Sequence, residues 1–258
     1  MLFIPGAFVG AWMWEETFLP WFADHGFDSY AMDFRARSRR GWQLHRLGLA
    51  DFVADVAEVV ADLPGTPVLV GHSLGGLVAW EFARRRPAAA LVMFSSVPPD
   101  GSLRSWLTMA GDDPVSAVKM AAMSLLPAAR FLGTPPAGVY SSRVPPDVAR
   151  GFTRRLRGES WRVLSEALLR PGAATGGTGV PTYVVGATGD HLIPASEVRR
   201  TARMLDAPCK VFDGFSHSPF VEPGWEKIAA DIARWIDGAL GGASARPAGR
   251  ARSGRATA

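Results

Sequence analysis

The stretch Val68-Leu69-Val70-Gly71-His72-Ser73-Leu74-Gly75-Gly76 constrains this chain more than any other. The apolar run entered through Pro67 reads as a buried strand of a parallel sheet, and the residues from Leu74 onward carry apolar side chains at helical spacing. Ser73 therefore stands at the apex of a turn from strand straight into helix, with glycine at 71 and 75. So abrupt a turn strains the apex, and a side chain at either glycine would meet the neighbouring strand or helix. The turn holds the hydroxyl above the sheet, and the helix it opens aims free N–H groups at any anion formed beside it.

A chain of 258 residues, 48% of them apolar, can bury one large core with an inserted lid. Its single cysteine, Cys209, excludes an internal disulfide framework and suits a reducing compartment; lying in an apparent strand, it reads as packing. No apolar run approaches the roughly 20 residues of a membrane span. Met1-Leu2-Phe3-Ile4-Pro5 lacks the basic start and long apolar stretch of a secretory signal, so the expected location is cytoplasmic. The formal charge of +4 resides in the last residues, where Arg246, Arg250, Arg252 and Arg255 stand among Gly, Pro, Ala and Ser. Without them the chain is formally neutral, so residues 241–258 read as a disordered basic tail, and nucleic acid is not an expected partner.

Elsewhere strands and helices alternate. Leu2–Ile4 reads as a strand running into the Gly-rich loop Pro5-Gly6-Ala7-Phe8-Val9-Gly10, followed by a helix over Glu15–His25 and a strand over Ser29–Met32. The spacing of Leu49, Phe52, Val56, Val59, Val60 and Leu63 predicts a helix, and Ala90–Ser95 reads as another strand. From Val97-Pro98-Pro99 the rhythm breaks, with helical stretches near Val115–Leu126, Asp147–Leu156 and Glu159–Leu169 and no convincing strand. It resumes with a strand at Pro181–Gly186, a helix from Pro194 to Leu205, a strand at Cys209–Phe212 and a helix over Trp225–Leu240. The expected organisation is an α/β core from residues 1–97 and 178–240, with an inserted helical cap at 98–177. Residues that the first loop and this apolar cap offer to a hydrophobic substrate are Phe8, Trp12, Trp106, Met109, Met123, Phe131 and Trp161.

In an open parallel sheet, reacting groups collect at the carboxyl ends of the strands. Three such ends carry Ser73, Asp190 and His217, in that order along the chain. An imidazole near its titration range can take the serine proton, and a carboxylate can hold the ring in the right tautomer. A helix-capping Asp190 and a loop His217 bonded only to backbone are the plain alternatives. No His, Cys, Asp and Glu cluster has the spacing of a metal site, and no cofactor is implied.

With these residues in view, the chain resembles the α/β-hydrolase superfamily over nearly all of its length outside the cap and tail. Gly6-Ala7…Gly10-Ala11-Trp12 and Gly71-His72-Ser73-Leu74-Gly75-Gly76 are similar to the small esterase branch that includes plant methylesterases and hydroxynitrile lyases. The ending Gly214…His217…Glu222-Pro223-Gly224-Trp225 is similar to bacterial lysophospholipase-like members. The resemblance implies an oxyanion hole from the backbone N–H groups of Ala7 and Leu74. The chain departs from it at Pro5-Gly6, where His-Gly is usual, and at Arg35-Ala36-Arg37-Ser38-Arg39, where a Gly-rich loop is usual. One or two strands usually precede the oxyanion strand, and here the sequence begins on it; the expectation is about six parallel strands with a sheet edge close to the N-terminus.

The leading expectation is a serine hydrolase acting on a carboxylic ester or thioester of a hydrophobic acyl substrate. Acyl transfer, ring closure or lyase chemistry on the same fold is the enzyme alternative, and a small-ligand receptor is the non-enzyme one. Arg35–Arg40 reads first as a solvated charge run, with an acidic acyl-carrier protein as the alternative partner.

Overall fold

Seven short strands form the spine of the computed structural model, which describes residues 1–125, 137–170, 176–241 and 249–255. They are β1 (Leu2–Ile4), β2 (Ser29–Asp33), β3 (Val68–His72), β4 (Ala90–Phe94), β5 (Thr182–Ala187), β6 (Cys209–Phe212) and β7 (Ala251–Arg255). Their order across the sheet is β6-β5-β4-β3-β1-β2-β7, and every neighbouring pair is parallel. The helices are α1 (Trp12–Glu15), α2 (Phe18–Asp24), α3 (Gly41–His45), α4 (Leu49–Ala61), α5 (Leu74–Ala83), α6 (Leu103–Asp112), α7 (Pro114–Leu125), α8 (Pro146–Arg155), α9 (Trp161–Leu168), α10 (Ala195–Leu205) and α11 (Glu226–Leu240).

Successive strand residues face opposite sides of a sheet, so a buried sheet needs two cores. Leu2, Ile4, Leu69, Leu91, Met93 and Val184 face one, covered by α4, α5 and α10. Phe3, Val68, Val70, Val92, Phe94 and Val185 face the other, covered by α1, α2 and α11. Helix α5 lies between the sheet and α4, and all ten of its residues are buried. An apolar helix without a polar face can sit only in such a place.

Several expectations are corrected. The helix expected over Glu15–His25 is two helices, because Pro20 has no N–H to offer the carbonyl of Glu16 and a continuous helix would lose that bond. The cap contains a further helix, α6, whose Gly111 and flanking Gly101 and Pro114 hide it from a propensity reading. The tail expected to be without structure supplies β7, aligned with β2 from Ser29 beside Ala251 to Asp33 beside Arg255. Strand pairing uses backbone groups and needs no apolar side chains, so composition gives no sign of it. The tail is led in by Gly249 N–H on the Ala23 carbonyl (2.7 Å) and Arg250 N–H on the Asp28 carboxylate (3.0 Å). The sheet accordingly has seven strands rather than six, and β7, not the N-terminal strands, forms that edge. At the opposite edge Cys209 is exposed, not packed.

Helices α6 to α9 lie between β4 and β5 in sequence. The two ends of this insertion are stitched together, with Ser102 N–H donating to the Ala167 carbonyl (3.1 Å) and Arg170 Nε to the Pro99 carbonyl (2.7 Å). Arg170 also pairs with the buried carboxylate of Glu81 on α5, and Arg200 on α10 holds Asp100 through two bonds of 2.7 and 2.8 Å. Among the described residues no helix is long and apolar enough to cross a membrane.

Candidate active site

Ser73 joins β3 to α5 with φ 52° and ψ −119°, a left-handed backbone that costs a non-glycine residue of order 1–3 kcal/mol. The surroundings leave it no choice. A Cβ at Gly71 would lie 2.3 Å from the Gly75 carbonyl oxygen, and one at Gly75 would lie 2.4 Å from that of Pro5. The backbone of Ser73 is pinned by its N–H to the Phe94 carbonyl (3.0 Å) and by Gly76 and Val97 N–H groups on its own carbonyl (3.1 and 3.0 Å).

Asp190, in the loop after β5, and His217, in the loop after β6, are both buried and meet at 2.8 Å between Oδ2 and Nδ1. The other oxygen of Asp190 accepts the N–H groups of Leu192 and Ile193, each at 2.9 Å. One carboxylate thus shapes its own loop and faces the imidazole; it does not cap the following helix, whose N-cap is Pro194 without a side-chain bond. With Nδ1 donating to Asp190, Nε2 is the nitrogen left to exchange a proton.

The His217 loop is held from several directions. His217 N–H donates to the Gly138 carbonyl (2.8 Å) and Ser218 N–H to that of Val139 (3.1 Å). The buried Glu222 carboxylate accepts Ser216 N–H (2.8 Å) and Arg143 Nη2 (3.1 Å). His72, beside the apex serine, donates Nε2–H to the His217 carbonyl (2.8 Å) and packs among Trp14, Phe94 and Phe220. Burial, and then the nearby His217, push the His72 imidazole well below its ordinary range, so it stays neutral.

The first loop is clasped from the cap. Phe8 has φ 66°; its N–H donates to Glu159 Oε2 (3.1 Å) and its carbonyl accepts Arg157 N–H (2.8 Å). Glu159 is fully buried and pairs with Arg37, whose Nη1 also reaches the Gly158 carbonyl (3.3 Å). The peptide between Ala7 and Phe8 is therefore fixed by a buried ion pair from two distant segments.

Two cavities meet at Ser73. The larger, about 400 Å³, is bounded by Ala7, Phe8 and Leu74 below and by Trp106, Met109 and Trp161 of the cap. The smaller, about 90 Å³, shares Ala7, Phe8 and Ser73 and extends along His217 and Tyr140. Of the residues expected to touch substrate, Phe8, Trp106, Met109 and Trp161 thus line the larger cavity. Trp12 does not: it lies against Phe152 with Arg155 stacked 4.1 Å above its ring, in a separate surface groove. Two residues on, a helical residue has turned away from the loop that leads into it. Phe131 and the Met123 side chain lie outside the described residues.

A sequence profile described as the alpha/beta hydrolase family matches residues 1–230. The chain belongs to the alpha/beta hydrolase family. Within it, the chain is 27% identical over 229 residues to a monoacylglycerol lipase of Mycolicibacterium smegmatis, covering 80% of this chain and 77% of that one. The fold is shared with a pyrethroid hydrolase from Sphingobium faniae (TM-score 0.60, 19% identity, 92% of this chain and 96% of that one). It is shared equally with polyneuridine aldehyde esterase (TM-score 0.62, 17% identity, 90% and 98%).

Several residues that shape this alpha/beta hydrolase site escaped the sequence reading. Arg37 and Glu159 are 122 positions apart and Arg143 and Glu222 are 79 apart, with nothing local to mark either pair. Of the basic loop, Arg35 is bound to Asp55 and Glu58 and Arg37 to Glu159, leaving Arg39 and Arg40 exposed. An acidic-partner role would rest on those two alone.

Proposed function

We propose that this chain is a serine hydrolase that cleaves a carboxylic ester or thioester of a hydrophobic acyl substrate through an acyl-Ser73 intermediate. The observation that carries the proposal is the buried Asp190–His217 contact of 2.8 Å in loops beside the strained apex of Ser73, with His217 and Ser73 lining one cavity. The 27% identity to a monoacylglycerol lipase supports an ester as substrate.

In this reading His217 takes the hydroxyl proton as Ser73 Oγ bonds to the carbonyl carbon, and Asp190 stabilises the resulting imidazolium. The carbonyl oxygen becomes an anion beside the N–H groups of Ala7 and Leu74, residues that line the cavity with Ser73. Donors of that kind contribute about 3–4 kcal/mol each in comparable chemistry. The C–O or C–S bond then breaks, and the leaving group departs with the proton from His217. Water repeats the sequence on the acyl-enzyme, releasing the acid and restoring the serine.

Treatment with a fluorophosphonate probe followed by peptide mass spectrometry tests this directly. Covalent modification of Ser73, absent in Ser73→Ala, is the expected result. An unlabelled wild-type chain, or a label elsewhere, overturns the proposal and favours a ligand receptor or lyase chemistry.

A further inference from the structure

The unequal cavities on either side of Ser73 assign the two halves of the substrate. An ester bound for attack presents its carbonyl carbon to Ser73 and must send its acyl and alkoxy portions in different directions. Resting on the roles given above to Ser73 and His217, we propose that the substrate is an ester with a bulky, uncharged, apolar acyl group and a compact leaving alcohol.

The direction follows from proton transfer. When the tetrahedral intermediate collapses, the C–O bond to the alkoxy group breaks and its electron pair stays on oxygen. That oxygen takes the proton held by His217 Nε2, so the leaving group must lie on the imidazole side within hydrogen-bond reach. His217 lines the smaller cavity and is not among the residues lining the larger. The alkoxy group therefore enters the smaller cavity, walled by Tyr140, Phe152, Leu156 and Phe220, and the acyl group takes the larger.

Size and polarity then define the class. The smaller cavity has less than a quarter of the volume of the larger, about 90 against 400 Å³, room for an alcohol of one to three carbons. Among its described lining residues, the larger cavity has no ionisable side chain: Leu74, Val97, Met109, Leu164 and Ile193 surround it, with serine hydroxyls the only polar groups from side chains apart from the tryptophan rings. An ionised acyl group would lose its hydration there without a partner. Trp106 and Trp161, 37% and 47% exposed, stand where this cavity meets solvent, so a long chain can run outward between them. Among the described residues lining the alkoxy side no apolar side chain is exposed: Phe152 and Phe220 are buried and Tyr140 is half-buried.

Two isomeric esters separate this orientation from its reverse: ethyl octanoate and octyl acetate have the same atoms and exchange long and short portions. With the full chain, kcat/KM for ethyl octanoate is expected to exceed that for octyl acetate at least thirtyfold. Tyr140→Ala, which enlarges the smaller cavity, is expected to narrow the ratio at least fivefold by raising octyl acetate turnover. Ala121→Phe, which fills the larger one, is expected to lower ethyl octanoate turnover at least tenfold more than ethyl acetate turnover, and it keeps the test open if the tyrosine variant fails to fold. Equal rates, or a preference for octyl acetate, overturn the assignment while leaving Ser73 as nucleophile. Ser73 labelling with no turnover of either ester does the same. Absence of both labelling and turnover removes the hydrolase reading and this assignment together.

Discussion

On the sheet side of the cavity, Ser73, Asp190 and His217 stand in short loops at the ends of β3, β5 and β6, held largely by backbone hydrogen bonds. On the cap side, the segments above them are tied to the core by a few charge pairs between distant residues: Arg37 with Glu159, Arg143 with Glu222, Arg170 with Glu81, and Arg200 with Asp100. Backbone hydrogen bonds place most of the first set, and those of the His217 loop reach up to Gly138 and Val139 of the insertion. The second set ties the insertion to the core and can be altered one side chain at a time. Under the proposed function, reactivity would belong to the strand ends and choice of substrate to the cap and its anchors.

The largest expected effect tests the first half of that division. Ser73→Ala removes the attacking oxygen and should lower kcat by several orders of magnitude, with ~10⁶ as the upper guide, while leaving the thermal midpoint close to wild type. A loss of less than tenfold would mean that the chemistry does not pass through this hydroxyl.

The second prediction crosses from cap to core. Glu159→Ala leaves the Arg37 guanidinium buried without its carboxylate, an arrangement that costs about 3–5 kcal/mol when a buried pair loses one member. It also frees the Phe8 N–H, and with it the peptide that follows Ala7. Stability should fall by that amount in urea unfolding, and kcat should fall by about tenfold or more with KM changed less, as expected when a group that stabilises the transition state is displaced. Glu159→Gln, which keeps an oxygen for Phe8, should recover part of kcat and little of the stability. If both variants lower only stability, the clasp holds the cap without touching the chemistry.

These two predictions differ in how far their residues could be read from sequence. The turn at Ser73 was legible because strand, apex and helix follow one another directly in the chain with glycine at 71 and 75, and His217 and Asp190 because strand ends gather reactive groups. Strand alternation and helix spacing exposed the parallel α/β architecture for the same local reason, while the division of its interior into two cores came only with the structure. Glu159 and Arg37 could not be found that way: each resembles any surface charge until the fold brings them together. The tail failed for another reason, since β7 forms through its backbone and its composition of Gly, Ala and Arg looks like a segment with nothing to pack. Trp12 was misplaced because the direction of a side chain at the start of a helix depends on where that helix begins.

His72 belongs to the strand end but acts on the neighbouring loop through its bond to the His217 carbonyl, and its expected effect is smaller. Its folded-state titration lies well below the ordinary histidine value of 6.5, because burial disfavours the charged ring. Below that value the unfolded chain binds a proton that the folded chain does not, so stability falls as pH falls. The slope approaches 1.4 kcal/mol per pH unit for one proton. His72→Gln should reduce by up to one proton the uptake that accompanies unfolding between pH 6.5 and 5, measured by urea unfolding across that window. An unchanged slope would show that His72 is not the group responsible.

The smallest effect is expected at the cap's hinge. Asp100 and Arg200 form two good hydrogen bonds, but both side chains are partly exposed, and pairs of that kind contribute about 0.2–1 kcal/mol. Hydrogen bonding to Arg200 holds the Asp100 carboxyl below its ordinary value, so the contribution is present above the unfolded value of 3.8 and fades as pH falls through the lower folded one. Asp100→Asn should therefore cost about 1–3 °C in Tm at pH 7 and less at pH 3, following the usual relation between free energy and midpoint for a chain of this size. Its bearing on the comparison lies in rank. A buried clasp should outweigh an exposed hinge, because removing a buried partner strands a charge whereas water replaces an exposed one. Should Asp100→Asn destabilise the chain more than Glu159→Ala, the cap is held at its base rather than at the first loop, and the proposed coupling between cap and Ala7 loses its physical support.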